Sequence, residues 1–337
     1  MSQITIKTFH CEDENIELFR KVPEPIYIPP PSPEHISEES LCWLAIAENG
    51  TPLARLTTQV VTDLYGVDGP SGLIGHYEAL DSDAGVFIIE EAKQWFRKRN
   101  VRRVLGPMNG NTWERYRFAL PQKNGEPFFL GEPRNPPEYP KNFEKAGFNP
   151  VDFYESRVTD DLTSQKDKVP ALENKLQKRG ISIHSVQPSQ FDLVLQGVYD
   201  LSVQSFSKNM FYRDISFAHF KALYDPIKPL LDPDFVRIAR DKKDNITGIL
   251  LGFPDLYSVI DGKPQQLVFK TIAVSPEMRG SGLGIYLFDL LHLTAYKRGY
   301  RRVIHALMHC DNVSLKMSMK RNHSAPLRKY ALYQWKP

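Results

Sequence analysis

Apolar and polar positions along the chain alternate between short strand-like runs and longer stretches of helical period. "WLAIAENGTPLARLTTQVV" reads as two strands joined by a polar turn, and "VRIARDKKDNITGILLGFP" in the second half reads the same way. In the first half the series continues with "LIGHYEAL", a helix over 84–99 and "RRVLGP". In the second half it continues with "LVFKTIAV", a helix over 283–298 and "RRVIHALM". "WFRKRNVRRVLGPMN" aligns with "AYKRGYRRVIHALMH", setting Val104 against Val303. Each half then closes with a short helix and more strand, "YPKNFEKAGFNPVDFYESRV" and "NVSLKMSMKRNHSAPLRKYALYQW". This self-similarity predicts an α/β protein of two tandem units, each a mixed, mostly antiparallel central sheet flanked by helices. The polar run "TDDLTSQKDKVP" precedes a helical pattern at Leu172 and Leu176 with Gly180 as its stop, which divides the chain into 1–164 and 165–337.

The helix beginning at Leu283 is headed by an unusual stretch, "AVSPEMRGSGLGIYLFDLL". Gly280, Gly282 and Gly284 each lower helix propensity by about 1 kcal/mol against alanine. The first turn of a helix leaves backbone N–H groups without partners, and glycine lets those groups close on an anion. Arg279 adds a fixed cationic fork just before them. The stretch therefore reads as a phosphate-binding turn. A dinucleotide loop needs a different glycine spacing directly after the strand and an acidic residue about twenty positions on, where Ile304 stands. A P-loop needs Gly-Lys-Ser/Thr, which the stretch lacks.

Charge sharpens this reading. The net charge of +3 conceals twelve Lys and Arg against Glu277, Asp289 and Asp311 from Lys270 onward, so that segment is +9 and the other 269 residues are −6. A basic segment suits a phosphorylated cofactor or RNA, and it equally suits a solvated face. The amino-terminal residues are too polar for a signal peptide, no apolar run reaches membrane-spanning length, and Cys11, Cys42 and Cys310 lack metal-site spacing. These features lead us to expect a cytoplasmic protein in a reducing compartment, without a membrane or metal partner.

Strand, "VSPEMRGSGLG", helix and strand together resemble the acyl-CoA-binding segment of the GNAT superfamily of N-acyltransferases. The family pattern Arg/Gln-x-x-Gly-x-Gly/Ala after a V-x-P turn is matched by Arg279, Gly282 and Gly284 after Val274-Ser275-Pro276. The resemblance runs from about Ile181 to the end and extends more faintly to the first half, so the chain resembles a tandem-GNAT protein. It implies acetyl-CoA or another acyl-CoA as cofactor. It further implies that Ile272, Ala273 and Val274 offer backbone groups to pantetheine, and that Gly280, Ser281, Gly282, Leu283 and Gly284 hold the pyrophosphate. Asn312 matches an asparagine that faces pantetheine, and it serves equally as a helix N-cap. The implied activity is acyl transfer, acetyl transfer by the resemblance, to a small-molecule or peptide amine. A non-catalytic CoA-binding protein and an aminoacyl-tRNA-dependent peptidyltransferase-like protein stay open as alternatives, although the intact loop points away from nucleic acid.

Two departures affect the chemistry. The central strand "LVFKTIAV" carries Lys270 where the family often has a glutamate base, and Met319 stands where a tyrosine often reprotonates the thiolate. Replacement candidates are His309, expected to share a strand face with His305, and Tyr212 within "NMFYRDISF". Two histidines at that spacing without a carboxylate make a poor metal site. Asp214 in the same stretch, with Asn109, Asn111 and Trp113 in "GPMNGNTWERYRF", are candidates for the acceptor side, and a loop docking the two halves is the competing reading of that segment. In the first half "DSDAG" (81–85) stands opposite "GSGLG", and Asp81 and Asp83 suit a helix start that receives no phosphate.

Overall fold

In the computed structural model, which describes residues 4–31, 34–122 and 125–337, the two expected helices run Ser82–Arg97 and Leu283–Lys297. The first half comprises β1 (Ile4–Phe9), α1 (Ile16–Lys21), β2 (Leu41–Ala47), β3 (Pro52–Val61), β4 (Ser71–Ala79), α2 (Ser82–Arg97), β5 (Arg103–Gly106), β6 (Phe118–Ala119), α3 (Glu138–Lys145) and β7 (Asn149–Thr159). The second half begins with α4 (Val169–Lys178), β8 (Ser182–Ser185), α5 (Phe191–Phe206), α6 (Phe217–Tyr224), β9 (Val236–Arg240) and β10 (Ile246–Pro254). It continues with β11 (Val259–Ile260), β12 (Lys263–Pro264), β13 (Gln266–Val274), α7 (Leu283–Lys297), β14 (Arg302–His309), α8 (Val313–Arg321) and β15 (Ala325–Trp335).

Helical spacing explains where the helices settle. α2 buries Ala84, Ile88, Ile89, Ala92 and Phe96, and α7 buries Leu283, Leu287, Leu291 and Ala295. At Gly72 a Cβ would stand 2.5 Å from the Phe96 ring, so glycine lets β4 and α2 approach closely. Alternation along β10 sends Leu250 into the core beneath α7 and Ile249 and Leu251 into the core beneath α5 and α6. Truncating one such fully buried leucine to alanine costs roughly 2–5 kcal/mol.

Among the described residues thirteen strands form one sheet, in the order β1-β2-β3-β4-β5-β15-β7-β14-β13-β10-β9-β8, with β6 pairing β15 off this path. Neighbours on this path are antiparallel except β4 with β5 and β13 with β14, which are parallel. The two halves exchange their closing strands. β5 of the first half pairs with β15 of the second (Gly106↔Tyr333), and β14 of the second pairs with β7 of the first (Val303↔Thr159). β7 and β15 pair with each other from Ala325↔Val158 to Gln334↔Asn149, so the seam between the halves is sheet hydrogen bonding. Among the described residues no helix is long and apolar enough to cross a membrane.

Candidate functional site

The glycine turn has the conformation its composition suggests. Gly282 caps α7 at φ +97° and Gly280 lies at φ +74°, left-handed values that side-chain-bearing residues adopt only with strain. Ser281 donates its N–H to Met278 O, and Leu283 donates its own to Ser281 Oγ at 3.1 Å. Among the described residues the N–H groups of Gly280, Gly282, Gly284 and Ile285 have no acceptor. A Cβ at Gly280 would meet nothing within 4 Å, so the space over the turn is open, and Arg279 is exposed beside it. An anion placed there gains free donors and the positive end of the helix.

β13, which leads into this turn, separates from its parallel neighbour. Pairing with β14 covers Gln266–Phe269 against Arg302–His305 and stops. Ile272, Ala273 and Val274 pair only with β10 on their other side. A one-residue bulge opposite Leu251 and Gly252 sits at the separation and contains Lys270. Lys270 is solvent-accessible yet deeply surrounded by protein. That surround, with the positive charge of Arg117, pulls its ammonium down to about 8. Arg117 lies over the rings of Tyr116 and Tyr154, with its Nη1 buried and, among the described residues, without a hydrogen-bond partner.

The expectation that His305 and His309 share a face is overturned. His305 pairs with Arg157 and Met308 with Glu155, so β14 holds one extra residue, and Leu307 takes φ +57°. An extra residue reverses the side-chain alternation beyond it. His305 is buried against Nε2 of His292 at 2.7 Å and against Ser318, and burial holds both imidazoles far below their ordinary range. His309 emerges on the other face, with Nε2 2.7 Å from Asp152 Oδ1 and its ring 5.1 Å from that of Tyr154. Asp311 donates its N–H to His309 Nδ1 at 3.1 Å, which fixes the tautomer with Nε2 protonated towards Asp152. The bond to Asp152 raises the His309 pKa. Tyr154 completes the group by donating its hydroxyl to Asp152 Oδ2 at 2.7 Å.

The remaining sequence candidates divide between structural and cavity positions. Asn312 is the N-cap of α8, accepting from Ser314 N–H at 3.3 Å. Tyr212 is 4% exposed, and among the described residues its hydroxyl has no hydrogen-bond partner. Residues 209–216 are loop. Trp113 docks the halves together, stacking edge-on with Phe206, Tyr212 and Phe220 and donating its indole N–H to Arg213 O at 3.2 Å. Asn109, Asn111 and Asp214 line a cavity of about 420 Å³, together with Gln59, His76 and Arg213. Asn111 accepts the N–H groups of Trp113 and Glu114, and Asn109 accepts that of His76. The cavity sits where β4 parts from β5: their pairing ends at Leu73↔Leu105, and Leu73 and Met108 are in its wall. In the first half the α2 start is closed by Asp81, whose Oδ1 accepts Ala84 N–H at 2.8 Å, as the two carboxylates suggested.

Sequence reasoning did not single out Asp152, Tyr154, Arg117 or the bulge at Lys270. Nothing in a single strand pattern announces that β7 lies beside β14.

No protein-family profile and no curated protein sequence matches the chain. Solved structures do. A GCN5-related glucosamine N-acetyltransferase region of a fungal multi-domain GH3 β-N-acetylglucosaminidase superposes with TM-score 0.53 at 16% identity, over 99% of this chain and 38% of that one. This chain thus spans well under half of that protein's length. A tandem GNAT protein from the clavulanic acid biosynthesis pathway gives TM-score 0.52 at 12% identity, over 99% and 98% of the two chains. A probable N-acyltransferase from Enterococcus faecalis V583 gives 0.57 at 9% identity, over 99% and 73%. The fold is the GNAT fold in its tandem arrangement.

Proposed function

We propose that this chain is an acyl-CoA-dependent N-acyltransferase, probed most simply with acetyl-CoA, that binds acyl-CoA in its second half, in a reducing cytoplasm. The observation that carries this reading is the separation of β13 from β14 beside a helix start where four N–H groups lack acceptors among the described residues. The open space over Gly280 and the bare side of Ile272–Val274 fit a pyrophosphate followed by a pantetheine arm. Arg279 and the amides of Gly280–Gly284 would hold the phosphates, and the backbone of Ile272, Ala273 and Val274 would orient the arm.

Acyl-CoA would supply an activated thioester. The chain's own task is to position the amine, accept its proton and return a proton to the departing thiolate. His309 is the group for this. Asp152 holds Nε2–H, so Nδ1 is the basic atom, and it accepts the amine's proton by exchanging its 3.1 Å bond from Asp311 N–H. Lys270 at the bulge supplies a cation at the parting of the strands, suited to the negative charge that develops on an acyl oxygen. The cavity lined by Asn109, Asn111 and Asp214 is the acceptor side, where carboxylates favour an ammonium-bearing substrate. Turnover of acetyl-CoA with a panel of small and peptide amines, followed by free thiol release, tests the reading. Tight CoA binding without turnover on any amine would instead favour a CoA-responsive binding protein.

A further inference from the structure

We propose that His35, Glu114 and His219 form a divalent transition-metal site, of zinc-binding chemistry, on the wall of the cavity lined by both halves. The ligand atoms of these three residues lie within 4.8 Å of one another. Ligands around a tetrahedral zinc are about 3.4 Å apart at Zn–N and Zn–O lengths of about 2.1 Å. Glu114 Oε1 and His219 Nε2 are already 2.6 Å apart, and the rings of His35 and His219 have centroids 5.4 Å apart at a tilt of 54°. To seat an ion the Glu114–His219 contact has to open to about 3.4 Å, and the exposed His35 has to close inward.

An ion pair between Glu114 and His219 would account for two of these groups but not for the third. The three residues come from separate segments: the coil before β2, the loop between β5 and β6, and the first turn of α6. Each has its backbone pinned by a side chain that lines the same cavity. His35 O accepts from His76 Nε2 at 3.1 Å, Glu114 N–H donates to Asn111 Oδ1 at 3.1 Å, and His219 N–H donates to Ser216 Oγ at 3.2 Å. Such outer supports are what hold metal ligands in register.

Two imidazoles and one carboxylate leave at least one coordination position open, which is the ligand set of a reactive rather than a closed structural site. The open side faces the cavity of about 420 Å³, room for a water and a small ligand. Gln59 is 4% exposed in the same wall, and among the described residues its Oε1 has no hydrogen-bond partner, so a buried acceptor there is open to a donor such as a metal-bound water. Glu38, Glu39 and Asp214 outnumber Arg213, which pairs with Glu39, so the lining keeps the sign that attracts a cation. None of its three ligands is a residue assigned to acyl-CoA binding, so its test is separate from that of the cofactor.

The test uses the full chain, stripped with a chelator and titrated with Zn²⁺ alone by calorimetry, with bound metal counted by elemental analysis. We expect one zinc per chain, and Co²⁺ in its place should give the visible bands of a four-coordinate N/O site. His35→Ala and His219→Ala should each weaken zinc binding by about tenfold or more, while Cys310→Ser and His309→Gln leave it unchanged. His35 is exposed, so its variant keeps the fold, and an unaltered thermal midpoint verifies this. No bound zinc, affinity unaltered in both histidine variants, or binding lost in Cys310→Ser or His309→Gln would overturn the site.

Discussion

His309 Nε2 lies 2.7 Å from Asp152 Oδ1, joining the strand after the glycine-headed helix to the strand that ends the first half. The contact exists because the halves exchange strands, which makes the proposed proton acceptor a composite of both. The bond raises the His309 pKa, so the imidazole is neutral, and able to accept a proton, only above its elevated value. Acyl transfer should therefore rise with pH through a pKa above the ordinary 6.5 of histidine. Asp152→Asn should move that limb down towards 6.5, and His309→Gln should remove most of the rate. A pH–rate profile of the three proteins decides this, and a His309→Gln variant with full activity would remove the residue from the mechanism.

A second expectation concerns the glycine turn. Arg279→Ala removes a charge-assisted phosphate contact of roughly 1.5–3 kcal/mol. Gly284 lies inside α7 without a left-handed φ, and a Cβ there would touch only Val274 Cγ2 at 3.5 Å. Gly284→Val should thus fold normally while its methyl groups crowd the unpaired amides. Gly282 is a poorer choice because its φ of +97° would strain any replacement. Each variant should weaken acetyl-CoA at least about tenfold by calorimetry. The wild-type stoichiometry should be near one, since Asp81 occupies the first-half helix start. Undiminished affinity in both variants would remove the turn from cofactor binding.

How much of this was readable beforehand follows from the range of each interaction. α2, α7 and their flanking strands were legible because their apolar periodicity is local, as in Leu283, Leu287 and Leu291. The nest at Gly280–Gly284 was legible because glycine in a first helical turn is locally costly. His305 and His309 were misplaced relative to each other because the bulge at Leu307 depends on pairing with β7, a strand far away in the chain. Asp152 went unnoticed for the same reason. Trp113 had two readings in sequence, and its contacts with Phe206 and Phe220 assign it to docking.

A third expectation is acid sensitivity. His76 and His292 are fully enclosed, and burial depresses each to about 4 from 6.5. A depressed imidazole contributes stability that is present above 6.5 and lost as pH falls, because the unfolded chain then binds the proton more readily. Each site amounts to roughly 3 kcal/mol at the acid end of that window. Urea midpoints should therefore fall steeply between pH 6.5 and 4. His76→Gln keeps a hydrogen-bonding side chain against Thr57 without titrating, and should flatten the decline. A midpoint insensitive to pH across the window would show that neither imidazole is held neutral.

The exchanged strands yield the last expectation. The sequence suggests a division into 1–164 and 165–337, but the sheet is continuous across it. Expressed alone, residues 1–164 would leave β5 without β15 and β7 without both of its neighbours. Residues 165–337 alone would leave β14 without β7, and β15 without β5 and β7. The exposed edges carry unpaired N–H and C=O groups and lose the apolar cover of Tyr330, Leu332 and Tyr333, all buried in the intact chain. Neither piece should unfold cooperatively by itself; each should aggregate or remain loosely packed. Refolded together they should reassemble, because the β7–β15 seam is built of the same hydrogen bonds whether or not the chain is continuous between them. Co-expression with one tagged piece, followed by thermal denaturation of the purified pair, provides the measurement. A cooperative transition from either piece alone would mean that a closing strand can return to its own half.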